Sequence, residues 1–252
     1  MAHRDELIAF CDELLDAASW EDYGPNGLQV TGREHVEVLV SGVSAHRELF
    51  ERAAGVGAGM VLCHHGLFWG SGPLTVGAQL RSRLKALFDA DASLAAYHLP
   101  LDAHPEVGNN ALICKALEFR RGEAFGEVRG RPIGFVGHPA EPIGLAELAE
   151  RCAAAFGREP LVLEGDGRAV GAVGVMSGGG GSSFADAVRL GVDAFVTGEP
   201  EEPLMADARE TGVAVLAGGH YASETFGVRR LGELLAERFD LRHEFVEVPN
   251  PV

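Results

Sequence analysis

Gly59-Met60-Val61-Leu62-Cys63-His64-His65-Gly66 is an apolar run that ends in two adjacent histidines and a glycine. Its middle, Met60–Cys63, reads as a short buried strand. On a regular strand His64 and His65 would point to opposite faces. Two neighbouring ligands converge only where the strand breaks, and Gly66 permits such a break.

Working outward, strand and helix patterns alternate. Leu7, Ile8, Phe10, Cys11, Leu14 and Leu15 give helical spacing over residues 3–19, and Gly24-Pro25-Asn26-Gly27 is a turn. Val36–Val43 reads as a strand, Ala45–Ala54 as a helix, Gln79–Phe88 as a helix, Leu94–His98 as a strand and Asn110–Phe119 as a helix. The glycine-rich, charged stretch Arg120–Arg131 is the best internal boundary, which predicts lobes of 1–125 and 126–252. In the second lobe Pro132–Gly137, Pro160–Leu163, Val170–Met176, Ala194–Thr197, Val213–Ala217 and Glu244–Val248 read as strands. Leu145–Phe156, Ser183–Leu190, Met205–Thr211 and Thr225–Phe239 read as helices. Alternation at this period predicts a two-lobed α/β protomer with an at least partly parallel sheet.

Two further segments share the character of the first: His98-Leu99-Pro100-Leu101-Asp102-Ala103-His104 and Gly219-His220-Tyr221-Ala222-Ser223-Glu224. Each follows an apolar, strand-like run. His220 and Glu224 are four apart and share a face if the chain turns helical after Gly219. His64, His65, Asp102, His220 and Glu224 are too many donors for one tetrahedral ion. They suit two ions sharing a bridging carboxylate at roughly 3.5–4 Å. The segments straddle the boundary, so the expected site lies in a cleft between the lobes. The plainer reading is that a histidine at a strand end is a hydrogen-bonded structural residue. For His3, His35, His46, His138 and His243, which lack such company, a surface position is expected. Cys63 should be turned into the core by strand alternation.

Composition narrows the partners. The chain has 252 residues, 46 % apolar, with a formal charge of −16, and Lys85 and Lys115 are its only lysines. A phosphate-backbone partner needs clustered Lys and Arg, so no nucleic-acid backbone binding is expected. The four cysteines show no paired spacing and the N-terminal residues lack a signal-peptide pattern, which predicts a cytoplasmic protein. No apolar run reaches the ~20 residues of a membrane span.

Three other features bear on chemistry. Ser177-Gly178-Gly179-Gly180-Gly181-Ser182-Ser183 lies between a strand and a helix, where the amides of Gly178, Gly179 and Gly180 could cradle a phosphate. It lacks the P-loop lysine, and the alternative is a sterically required turn. Glu199, in Thr197-Gly198-Glu199, ends a strand as a carboxylate behind a ligand or a general base. His98 and His104 flank Asp102 and could orient ligands, handle protons or contact substrate, against an ordinary structural role.

The segments His64-His65-Gly66-Leu67-Phe68-Trp69, Tyr97-His98-Leu99-Pro100-Leu101-Asp102-Ala103-His104, Thr197-Gly198-Glu199 and Gly219-His220-Tyr221-Ala222-Ser223-Glu224 together resemble the NGG-interacting-factor-three-like dinuclear metal-centre family. That family is often catalogued as GTP cyclohydrolase I type 2 homologues, and the chain is similar to its short, YbgI-like branch. The resemblance implies a toroidal homohexamer with metal sites facing an internal cavity, without the domain inserted in long members. It carries His64, His65, Asp102, His220 and Glu224 over as ligands of two divalent ions, from among Zn, Fe, Mn, Co and Ni. The leading expectation is a metal-dependent hydrolase of a small, nucleotide-like molecule, in the family's terms opening the purine ring of GTP. The competing one is a non-catalytic metal-binding or scaffold ring. A catalytic site keeps an open coordination position, and five donors for two ions lean that way.

Overall fold

Leu7, Cys11 and Leu15, spaced four apart, are the buried stripe of the first helix, Arg4–Leu15, whose start is capped by His3 Nδ1 accepting from the Asp5 amide. The same logic repeats along the chain. In the computed structural model, which describes residues 1–70 and 75–252, the elements gather into two compact units. One comprises Met1–Leu101 with Gly227–Pro249, the other Asp102–Phe226 with Asn250–Val252.

The first unit is built on a five-stranded sheet in the order Arg242–Phe245, Val38–Ser44, Met60–His65, Ser93–Ala96, Gly27–Val30. The first four strands are parallel and the last is an antiparallel edge. Val40, Val61 and Leu94 from these strands form one core with Leu49, Phe50 and Leu87 from the helices Arg47–Gly55 and Ala78–Ala90. Each fully buried side chain of this size contributes about 1.5–3 kcal/mol. Register sets Ser44 opposite His65 and Cys63 opposite Ala96, so three neighbouring strands end along one edge.

The second unit has a six-stranded sheet in the order Arg120–Val128, Arg131–His138, Val173–Met176, Ala194–Thr197, Ala214–Ala217, Leu161–Leu163. The trio containing Val173, Ala194 and Ala214 is parallel and the other joins are antiparallel. Phe135, Val173, Val196 and Leu216 build its core with Leu148 and Cys152 of the helix Leu145–Phe156. Met176, Thr197 and Ala217 lie level, so Ser177, Gly198 and Gly218 all leave the sheet at one carboxyl edge. In open α/β sheets that edge is where ligands bind.

The mixed α/β class is as expected, but the lobe division is not. Arg120–Arg131 is no linker: its residues form a strand and the turn of a hairpin inside the second unit. The divisions fall instead after Leu101 and Phe226, because the helix Thr225–Phe239 and the strand Arg242–Phe245 return the chain to the first sheet. That returning strand spans Arg242–Phe245, where Glu244–Val248 is expected. The edge strand Gly27–Val30 was hidden behind its turn residues. His243 is not at the surface: it is half-buried, with Nε2 2.8 Å from Ser41 Oγ. No helix among the described residues is long and apolar enough to cross a membrane.

Candidate metal centre

In the first unit the carboxyl edge of the sheet presents three imidazoles. The Met60–His65 strand ends in His64 and His65, whose ring centroids are 4.8 Å apart, and His98 follows the neighbouring Ser93–Ala96 strand. One ring nitrogen from each of the three lies within 4.8 Å of the other two. Each ring is held by Nδ1. His64 Nδ1 donates to the Tyr97 carbonyl at 3.0 Å, and a carbonyl only accepts, so the proton is on Nδ1 and the lone pair of the neutral ring is on Nε2. His98 Nδ1 stands 2.8 Å from Asp22 Oδ1, and His65 Nδ1 3.1 Å from Ser44 Oγ.

Asp22 is a residue that sequence reading missed. Burial pushes its carboxyl up, but the hydrogen bond and charge of His98 win and hold it below the ordinary carboxylate value. The Leu99 amide and Asn26 Nδ2 donate to its other oxygen, and the His98 amide donates to Asn26 Oδ1. The turn over residues 22–27 is therefore the cradle of His98. Cys63 is fully buried, its thiol pushed up by desolvation, in keeping with a core residue.

The second unit carries carboxyl groups at its own sheet edge. Asp102, in the short helix Leu99–Ala103, is buried, and its Oδ1 accepts from Asn109 Nδ2 at 2.8 Å and Ser177 Oγ at 3.2 Å. His220 opens the short helix His220–Ser223 directly after Gly219, whose φ of +102° only glycine adopts readily. Its Nε2 is 3.1 Å from Glu224 Oε1 and its Nδ1 2.8 Å from Glu199 Oε1. Burial pulls this imidazole toward neutrality, yet the two carboxylates outweigh it and raise it to about 9.

These donors fit a divalent ion. Histidine ligands characteristically give Nδ1–H to a carbonyl or carboxylate and bind through Nε2, which is the arrangement at His64 and His98 and, through Glu199, at His220. The structure thus contains His, Asp and Glu groups able to bind metal ions.

Two sequence expectations change. The Gly178 amide is engaged, donating to Ser223 Oγ at 2.9 Å, and a Cβ at Gly178 would lie 2.3 Å from Glu224 Oε1. With φ at +60°, Gly178 makes a close turn against a carboxylate, which repels an anion, so its amide is not available to the expected phosphate cradle of Gly178, Gly179 and Gly180. His104 Nδ1 accepts from the Glu106 and Val107 amides and caps its own turn. Asn109 and Ser177 went unseen because a buried amide or hydroxyl has no sequence signature of its own.

The sequence profile of the Duf34/NIF3 (NGG1p interacting factor 3) family matches residues 2–251. A Pseudomonas aeruginosa protein called GTP cyclohydrolase 1 type 2 homolog is 44 % identical over 246 residues, 97 % of either chain. Among solved structures, the protein ybgI, of unknown function, superimposes with a TM-score of 0.94 at 40 % identity, over the full length of both chains. TTHA1606 from Thermus thermophilus does so with 0.89 at 34 %, again over both full lengths.

Proposed function

The chain belongs to the Duf34/NIF3 family, and from that premise we propose that it is a cytoplasmic, metal-dependent hydrolase of a nucleotide-like substrate. His64, His65, Asp102, His220 and Glu224 are the ligands of two divalent ions, of Zn, Fe, Mn, Co or Ni. The observation that supports this reading best is the engagement of the histidine Nδ1 atoms, which orders the rings for binding through Nε2. The name of the Pseudomonas aeruginosa relative supports the nucleotide.

Divalent ions supply Lewis acidity and bring the pKa of coordinated water from 15.7 toward about 7. The remaining chemistry belongs to the side chains. His98, whose Nδ1 proton is held by Asp22, takes up a proton at Nε2. Glu199 fixes His220 through Nδ1 and relays protons at the rim. A closed homohexamer is part of the same proposal, closed symmetry being the rule for soluble homo-oligomers.

Anaerobic purification with elemental analysis, light scattering, and a panel of GTP, other nucleotides and phosphoesters test it. About two ions per chain, a sixfold assembly and metal-dependent turnover are expected. Full occupancy without turnover would instead favour the metal-binding or scaffold ring.

A further inference from the structure

Beside the three imidazoles of the first unit lies a cleft of about 690 Å³, within the range of small-molecule sites. Tyr23, Phe68, Trp69 and Arg83 are among its walls. The aromatic side chains are exposed where packing would bury them: Trp69 is 40 % accessible, Phe68 38 % and Tyr23 44 %. They are also held in place. Trp69 Nε1 donates to the Gly66 carbonyl at 3.1 Å, the Leu67 amide to Gln29 Oε1 at 2.8 Å, and the Gly70 amide to the Tyr23 carbonyl at 2.5 Å. The indole meets His98 edge to face, with centroids 5.2 Å apart, and His65 at 5.7 Å. A rigid, exposed indole next to a cluster of imidazoles is a ready stacking surface.

The cleft also carries charge. Acidic residues outnumber Lys and Arg 37 to 21 in this chain, and Arg47, Arg52 and Lys85 each pair with a carboxylate four residues away. Arg83, half-buried on the helix Ala78–Ala90, makes no hydrogen bond or ion pair with the described residues. Asp22, which also lines the cleft, has its oxygens taken by His98, Leu99 and Asn26. A half-buried guanidinium with no hydrogen bond or ion pair among the described residues favours an anionic ligand, phosphate above all.

We propose that this cleft is the recognition subsite for a nucleoside phosphate, with the base stacked on Trp69 and the phosphate held by Arg83. The proposal rests on the nucleotide-hydrolase reading, for which it names the residues that select the substrate. Calorimetry on the full-length, metal-replete protein tests it with three probes: GTP, guanosine and inorganic triphosphate. Trp69→Ala should weaken GTP and guanosine about tenfold or more and leave triphosphate unchanged, with Trp69→Phe retaining most of the affinity. Arg83→Gln should weaken GTP and triphosphate and leave guanosine unchanged. GTP affinity within about twofold of wild type in both Trp69→Ala and Arg83→Gln, or failure of wild type to bind GTP at about millimolar concentration, overturns the subsite. Turnover with unchanged KM in both variants also overturns it and leaves the hydrolase reading intact. The expected binding pattern without any turnover upholds the subsite and sinks the hydrolase.

Discussion

The nitrogen edge of the first unit and the oxygen edge of the second solve different problems. His64, His65 and His98 form a nitrogen set, each pinned through Nδ1 by a carbonyl, a hydroxyl or a carboxylate. Asp102, Glu224 and Glu199 supply carboxyl oxygens, and His220 lies between two of them, its pKa raised to about 9. The first edge is ordered before any ion arrives. The second gathers carboxyl groups around one imidazole, which they hold toward its protonated form. Geometry is thus built into one sheet edge and charge into the other.

The largest effect should come from deleting a donor on either edge. His64→Ala and Glu224→Ala should each lose at least one ion per chain by elemental analysis, and hydrolysis with it. Retention of full metal by both would break the comparison at its root. A subtler pair removes only the support: Asp22→Asn and Glu199→Gln should lower metal affinity by about 10- to 100-fold in competition with a chelator. At saturating metal Glu199→Gln should regain occupancy but turn over more slowly, which separates proton handling from metal holding. Equal behaviour of the two variants in every assay would show that the edges are not specialised.

Gly178→Ala probes the second edge sterically. The left-handed backbone costs about 1–2 kcal/mol for a residue with a Cβ, and that carbon would meet Glu224. Thermal unfolding should move to lower temperature, and metal affinity should fall with it. The smallest effect contrasts a structural histidine with the site histidines. Burial holds His243 below its ordinary pKa, against the pull of Glu233. A depressed folded pKa means stability present above about 6.5 and lost as pH falls through that value toward the folded pKa. His243→Gln should therefore flatten the acid side of the stability profile measured by thermal melting between about pH 7 and 5. His138→Ala, remote from both edges, should leave metal content unchanged.

Much of this architecture was legible locally. Leu145–Phe156, Ala194–Thr197 and Thr225–Phe239 have the bounds their periodicity predicts, since a buried stripe writes its own period into the chain. Arg120–Val128 escaped because charge and glycine mask a strand whose residues are mostly exposed. The glycine run looked like a phosphate loop, because sequence displays free amides without showing that Ser223 takes one of them.

By itself, then, the sequence determined the α/β alternation, the strand ends at which histidines and carboxylates collect, and the family, because each is a property of residues close together in the chain. Only the tertiary structure decided which elements share a core and which polar groups hold the donors. Asp22 reaches His98 across 76 positions, and Ser177 reaches Asp102 across 75. Such partners are selected by the pairing of strands and the return of the last helix to the first sheet, and no local pattern encodes a contact that exists only after those long loops have closed.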